Sequence, residues 1–163
     1  FGQDHTLDNM GKQIVANLIK MMDKYPYSVV FLENYKIDIG KKITRGSDVW
    51  LNNPRRPQEA SGTSGMKAAM NGVLNLSTLD GWWPEACDHG VNGWQFGDGY
   101  EGKDQDEHDL KALYKVLLEE VTPTYYDERN EWIEMMQASI DTTLEKFAAS
   151  RMVEEYYDKI YKK

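Results

Sequence analysis

A single cysteine, Cys87, stands among the 163 residues, so no internal disulfide can form and nothing points to an oxidising compartment. No apolar run approaches the ~18–20 residues that a membrane span needs. The opening Phe1-Gly2-Gln3-Asp4-His5 has neither the basic leader nor the apolar stretch of a signal peptide. It also lacks an initiator Met, as a piece of a longer chain would. Three histidines and one cysteine do not fall into a zinc spacing, and Cys87-Asp88-His89 is too tight for the usual ligand pairs. No Gly-Lys-Ser/Thr is present, which excludes the phosphate loop of nucleotide hydrolases. Gly62-Thr63-Ser64-Gly65-Met66 misses the serine-hydrolase elbow by its last residue. Positive charge is short too: the formal net charge of -8 argues against general nucleic-acid binding. The glycosylation sequon Asn75-Leu76-Ser77 falls in an apolar predicted strand and reads as noise. These exclusions predict a soluble, cytoplasmic protein.

What is present can build a core, with 40% hydrophobic and 12% aromatic residues. Charge is unevenly spread. Residues 1–57 carry nine Lys/Arg against six Asp/Glu, residues 58–100 one against five, and residues 101–163 nine against sixteen. The basic first third holds Lys36, Lys41, Lys42, Arg45, Arg55 and Arg56, which either face an anion or are solvated surface charges.

Residues 9–24 read as an amphipathic helix, with Ile14, Leu18, Met21 and Met22 at helical spacing and Asp8 as N-cap. Ser28-Val29-Val30-Phe31-Leu32 is a continuous β-branched and aromatic run, the pattern of a strand buried on both faces. Residues 36–44 read as a short helix ending near Gly46, followed by a strand at Asp48-Val49-Trp50-Leu51. The small residues 60–65 lead into helix formers at 66–70, and Asn71-Gly72 then precedes a strand at 73–77. Strand, helix, strand, glycine-rich turn, helix, strand is the βαβ order of an open parallel sheet. Ligands bind such sheets at the carboxyl ends of the strands. Beyond residue 105 three helix faces are predicted. They are Leu110, Leu113, Tyr114, Leu117, Leu118 and Val121; then Trp132, Met136, Ile140, Leu144 and Phe147; then Met152-Val153, Tyr156-Tyr157 and Ile160-Tyr161. The expected division is an α/β part over 1–104 and a helical segment over 105–163 packing on it.

The stretch from Glu59 to Lys67 carries the chemistry. Glycines and small hydroxyl residues let backbone approach a ligand, and N–H groups at the following helix start suit an anion. A helix lysine is either merely solvated or, in a buried setting at the positive end of the dipole, an amine of depressed pKa fit for Schiff-base chemistry. A phosphate site beside such an amine is also how pyridoxal phosphate is held in general.

Glu59-Ala60-Ser61-Gly62-Thr63-Ser64-Gly65-Met66-Lys67, with Asn71-Gly72 and Thr78-Leu79-Asp80-Gly81, resembles the cofactor-lysine signature of the α-glucan (glycogen, starch, maltodextrin) phosphorylases. Phe31-Leu32-Glu33-Asn34-Tyr35-Lys36-Ile37 resembles that family's cofactor-contacting segment, and Arg151-Met152-Val153-Glu154-Glu155-Tyr156 its closing helix in short prokaryotic members. Ser64-Gly65, Lys36 and the run Asp80-Gly81-Trp82-Trp83-Pro84-Glu85 depart from the long animal-type pattern and suit the short one.

The resemblance implies a Rossmann-like three-layer α/β domain with a short parallel sheet, the carboxy-terminal part of a glycosyltransferase B fold, plus carboxy-terminal helices. It implies phosphate-dependent release of α-glucose 1-phosphate from an α-1,4-glucan or maltodextrin, with pyridoxal 5′-phosphate anchored to Lys67 as a Schiff base. Thr63, Tyr35, Lys36 and Ile37 would complete the cofactor pocket. Glu59 would accept hydrogen bonds from a sugar hydroxyl, and Ser61 and Gly62 would offer N–H groups to sugar or phosphate. Lys67 and Glu59 are thus the expected catalytic residues. An amino-terminal domain and a basic loop outside this chain would complete the site, so the isolated chain is expected to be inactive; a homo-oligomer is compatible with this. A nucleotide-sugar glucosyltransferase of the same architecture, or a non-catalytic carbohydrate-binding module, are the alternatives. The family gives Arg55 and Arg56 no role, so they are read as surface charges, while Trp82 and Trp83 either stack on sugar or pack beneath the loop.

Overall fold

The computed structural model describes residues 9–162 and divides into two compact units, Phe1–Lys41 and Lys42–Lys163. The expected N-cap, Asp8, lies outside the described residues.

In the first unit, helix α1 (Asn9–Lys24) forms where the apolar spacing predicts it. The Phe31 N–H donates to the Met22 sulfur at 3.5 Å. Residues 28–32 form no strand, contrary to the sequence pattern. A β-branched run becomes a strand only when a neighbouring edge takes up its N–H and C=O groups. Among the described residues no ladder includes this run, and Val30 remains exposed. Helix α2 (Ile37–Gly46) follows, its first half in this unit and its second half in the next.

The second unit is built on strands β1 (Val49–Asn52), β2 (Leu74–Thr78) and β3 (Gly93–Phe96), paired parallel in the order β1-β2-β3. Val49 lies opposite Leu74, and Leu76 opposite Trp94. β2 is buried along its whole length, as a central parallel strand must be. Its alternation sends Leu74 and Leu76 to one face, where they cluster with Trp94, Phe96, Val116, Val121, Trp132 and Met135. Asn75 points to the other face, where helix α3 (Thr63–Ala69) packs. A second cluster joins Ala69, Trp82, Trp83 and Ala86, the last two from the short helix α4 (Trp83–Ala86), with Phe147 edge-on to Trp82. The α/β architecture with a short parallel sheet is therefore as the residues predict.

β3 escaped the sequence pattern because it is four residues long and begins at a glycine. Gly93 is required there: at φ +149° an added Cβ would stand 2.6 Å from the Asn75 carbonyl oxygen and 2.9 Å from the Trp83 ring.

The helical segment comprises α5 (Gln105–Val116), a π-helical turn (Leu117–Val121), α6 (Thr122–Tyr126), α7 (Arg129–Lys146), α8 (Ala149–Tyr156) and a second π-helical turn (Tyr157–Tyr161). Its buried stripes overlap the predicted faces only in part: Trp132 and Val121 are buried as expected, and Leu113, Leu117 and Met136 pack against the core. On α7 the buried residues are Trp132, Met135, Ser139 and Thr143, while Leu144 is exposed. Two hydroxyls are tolerated there because each has a backbone acceptor. Ser139 Oγ donates to the Val73 carbonyl at 3.5 Å, and Thr143 Oγ1 to the Ser139 carbonyl at 2.7 Å. Leu110, Tyr114 and Leu118 likewise face outward, and Val116 and Val121 are the residues buried.

Candidate active site

The loops leaving the carboxyl ends of β1 and β2 are stitched together. The buried Asp80 accepts the Glu59 N–H through Oδ2 and the Gly81 N–H through Oδ1, both at 2.9 Å. The Trp82 N–H donates to the Ser61 carbonyl at 2.8 Å, and Thr78 Oγ1 to the Pro54 carbonyl at 3.2 Å. Gly81, at φ +57°, leaves no room for a side chain, since its Cβ would stand 2.6 Å from the Ser61 oxygen.

Gly62 turns the chain at φ +88°, the left-handed region open to glycine, and α3 starts at Thr63, three residues ahead of the predicted start. The buried face of α3 is Gly65, Ala68 and Ala69. Gly65 sits against Trp82, where a Cβ would lie 3.0 Å from the indole nitrogen, and its carbonyl accepts from the Asn75 side chain at 3.1 Å. Trp82 and Trp83 are both buried, so they pack beneath the loop. The Trp83 indole N–H donates to the Trp94 carbonyl at 3.2 Å.

Lys67 is exposed, the solvated of the two settings that the sequence leaves open. The helical period decides this: with residues 65, 68 and 69 turned inward, residue 67 faces out. It makes no ion pair among the described residues. Thr63 lies one turn before Lys67 and shares its open face. Ser61 is exposed, while Glu59 and Gly62 are half-buried. The N–H groups of Ser61, Gly62, Thr63 and Ser64 find no acceptor among the described residues.

Tyr35, Lys36 and Ile37 belong to the first unit, at the entry to α2, and all three are exposed. There the Tyr35 ring covers Gly40, whose Cβ would stand 2.8 Å from the phenol oxygen. The structure thus gathers Glu59, Ser61, Gly62, Thr63 and Lys67 on one loop and helix, and describes the Tyr35–Ile37 triplet by itself.

Arg55 is a surface charge as read from sequence, 3.5 Å from Asp106. Arg56 is more than that. Its guanidinium donates to Glu101 at 2.7 Å and to the Leu79 carbonyl, bracing the loop after β2 from the side. The buried Gln105 accepts from Arg55 and donates to the Arg56 carbonyl, both at 3.3 Å. Asp80 was the framework residue that the residue pattern missed. The available signal was an Asp-Gly pair directly after a buried strand, which marks a tight turn with a carboxylate to cap it.

The chain is similar to known proteins along nearly its whole length. The carbohydrate phosphorylase family matches residues 12–89, which span the whole of the loop and α3. A maltodextrin phosphorylase of Thermococcus litoralis is 46% identical over 99% of this chain and 20% of its own length. A glycogen phosphorylase of Aquifex aeolicus is 43% identical over 99% of this chain and 24% of its own. One of Mycobacterium bovis is 41% identical over 98% of this chain and 20% of its own. The chain thus spans a fifth to a quarter of the length of these relatives. Over residues 12–89 the chain matches the carbohydrate phosphorylase family, and over nearly its whole length it is similar to these maltodextrin and glycogen phosphorylases.

Proposed function

We propose that these residues form the cofactor- and glucosyl-binding segment of an α-glucan phosphorylase, which transfers the terminal glucosyl unit of an α-1,4-glucan to inorganic phosphate and releases α-glucose 1-phosphate. The observation that carries this reading is the outer face of α3. Among the described residues, an amine at Lys67 with no ion pair and a hydroxyl at Thr63 share one helix face, beside four successive N–H groups without acceptors. That donor set fits pyridoxal phosphate: an amine for covalent attachment, and a hydroxyl with backbone donors for a phosphate. When bound, the cofactor supplies a phosphate group able to relay a proton to the substrate phosphate.

The chain's own residues have separate tasks in this reading. Lys67 attaches the cofactor through Nζ. Thr63 holds the cofactor phosphate through its hydroxyl. Glu59 accepts a hydrogen bond from a glucosyl hydroxyl and fixes the ring's orientation. Ser61 and Gly62 direct N–H dipoles at the sugar or phosphate, a preorganised field that needs no rearrangement as charge develops. Two phosphates brought together repel by several kcal/mol unless cations offset them. Lys67, as the anchor, is not free for that, so the remaining cations and the cover over the sugar come from the rest of a phosphorylase polypeptide. A cytoplasmic setting fits a phosphate-consuming reaction on a storage glucan.

The test is Lys67→Ala in a full-length phosphorylase carrying this chain. An exposed lysine contributes little to packing, so unfolding should shift by no more than about 0.5 kcal/mol. Cofactor absorbance and phosphate-dependent glucose 1-phosphate release should both disappear. Normal turnover with no cofactor bound would overturn the assignment and favour a nucleotide-sugar transferase.

A further inference from the structure

The side chain of Glu59 lies in a trough left by two glycines. Its Cγ is 2.8 Å from where a Cβ on Gly81 would stand, and its Oε1 is 3.6 Å from where one on Gly62 would stand. The backbone of Glu59 is held from below, because its N–H donates to Asp80 Oδ2 at 2.9 Å. Asp80 is buried, and its other oxygen takes the Gly81 N–H at 2.9 Å. One carboxylate therefore fixes both the residue that carries the Glu59 side chain and the glycine over which that side chain lies. Both bonds are charge-assisted, which makes them short and directional.

We propose that Asp80 and Gly81 are positioning residues for the Glu59 carboxylate, setting where it meets the glucosyl unit without touching substrate themselves. The proposal rests on the phosphorylase reading, in which Glu59 binds sugar. Asparagine at 80 keeps the size of aspartate but offers one acceptor oxygen in place of two, so one of the two N–H bonds must be given up. Alanine at 81 puts a methyl group into the space of the Glu59 Cγ and against the Ser61 carbonyl.

The experiment is a double-variant cycle in a full-length phosphorylase carrying this chain, with Asp80→Asn, Glu59→Gln and both together. Melting temperature and cofactor absorbance are followed beside kcat and KM for phosphorolysis. Asp80→Asn should lower kcat/KM by between about tenfold and a hundredfold, the scale of a small misplacement of a binding group. It should leave cofactor loading at Lys67 unchanged. Once Glu59 is already Gln, Asp80→Asn should cost no more than about a further twofold, because the group it positions has lost its charge. Gly81→Ala should show the same coupling to Glu59, and it carries the test if Asp80→Asn fails to fold. Independent, multiplicative losses from positions 59 and 80 would overturn the proposal, since Asp80 would then act on something else. If the wild-type enzyme releases no glucose 1-phosphate at all, the phosphorylase reading itself fails, a result separate from additivity.

Discussion

At the scale of single residues, the side chains expected to do chemistry are exposed or half-buried, and the ones that hold them are buried. Lys67 and Ser61 face outward, whereas Asp80, Trp82 and Asn75 are inside. Cys87 shows that a reactive residue type does not make a reactive site. Burial, with a contribution from the neighbouring Asp88 charge, pushes its thiol up to about 12. A disulfide reagent at pH 8 should modify the half-buried Cys87 more slowly in the folded protein than once denaturant is added; equal rates would contradict the raised thiol pKa. The same shift fixes a sign for stability. The folded state keeps the thiol proton longer than the unfolded chain does, so this contribution is complete below the thiol's ordinary pKa near 9. It is lost as pH rises from there through about 12.

At the scale of elements, α1, α2, β1, β2 and α3 were legible because each has a local signal: apolar spacing, a β-branched run, or a glycine turn before helix formers. Three things were not. Residues 28–32 have the composition of a strand, but composition does not supply a partner edge. β3 is short, and its Gly93 is there for the Trp83 ring, a contact 10 residues away in sequence that no local window contains. The buried stripe of α7 runs through Ser139 and Thr143, whose hydroxyls are satisfied only in the fold. Within the site, the Glu59–Lys67 motif was readable as a run, while the Asp80 clamp joins residues 21 apart and had to be seen. The α3–β2 contact sets a prediction at this scale. Gly65→Ala would place a Cβ 2.7 Å from Asn75 Oδ1 and 3.0 Å from the Trp82 indole nitrogen. Its expected cost is about 1–3 kcal/mol, the range for overpacking a filled core. Urea unfolding measures it, and an unchanged midpoint would mean that α3 can shift away from β2.

At the scale of the whole molecule, the second unit has a sheet, two apolar clusters and helices against them, which is enough buried surface for cooperative folding. The chain by itself should therefore fold yet release no glucose 1-phosphate from maltodextrin and phosphate when pyridoxal phosphate is supplied, because it spans only a fifth to a quarter of its relatives' length and in the proposed reading the rest of the site comes from the remainder. A standard assay with the full-length enzyme alongside decides it, and comparable turnover would mean that the active site lies elsewhere. The packing of Trp82 against Gly65 also ties together positions far apart in sequence. The indole and the Asn75 amide occupy the space that a side chain at 65 would need, so a larger residue there requires a smaller or displaced side chain at 82 or 75.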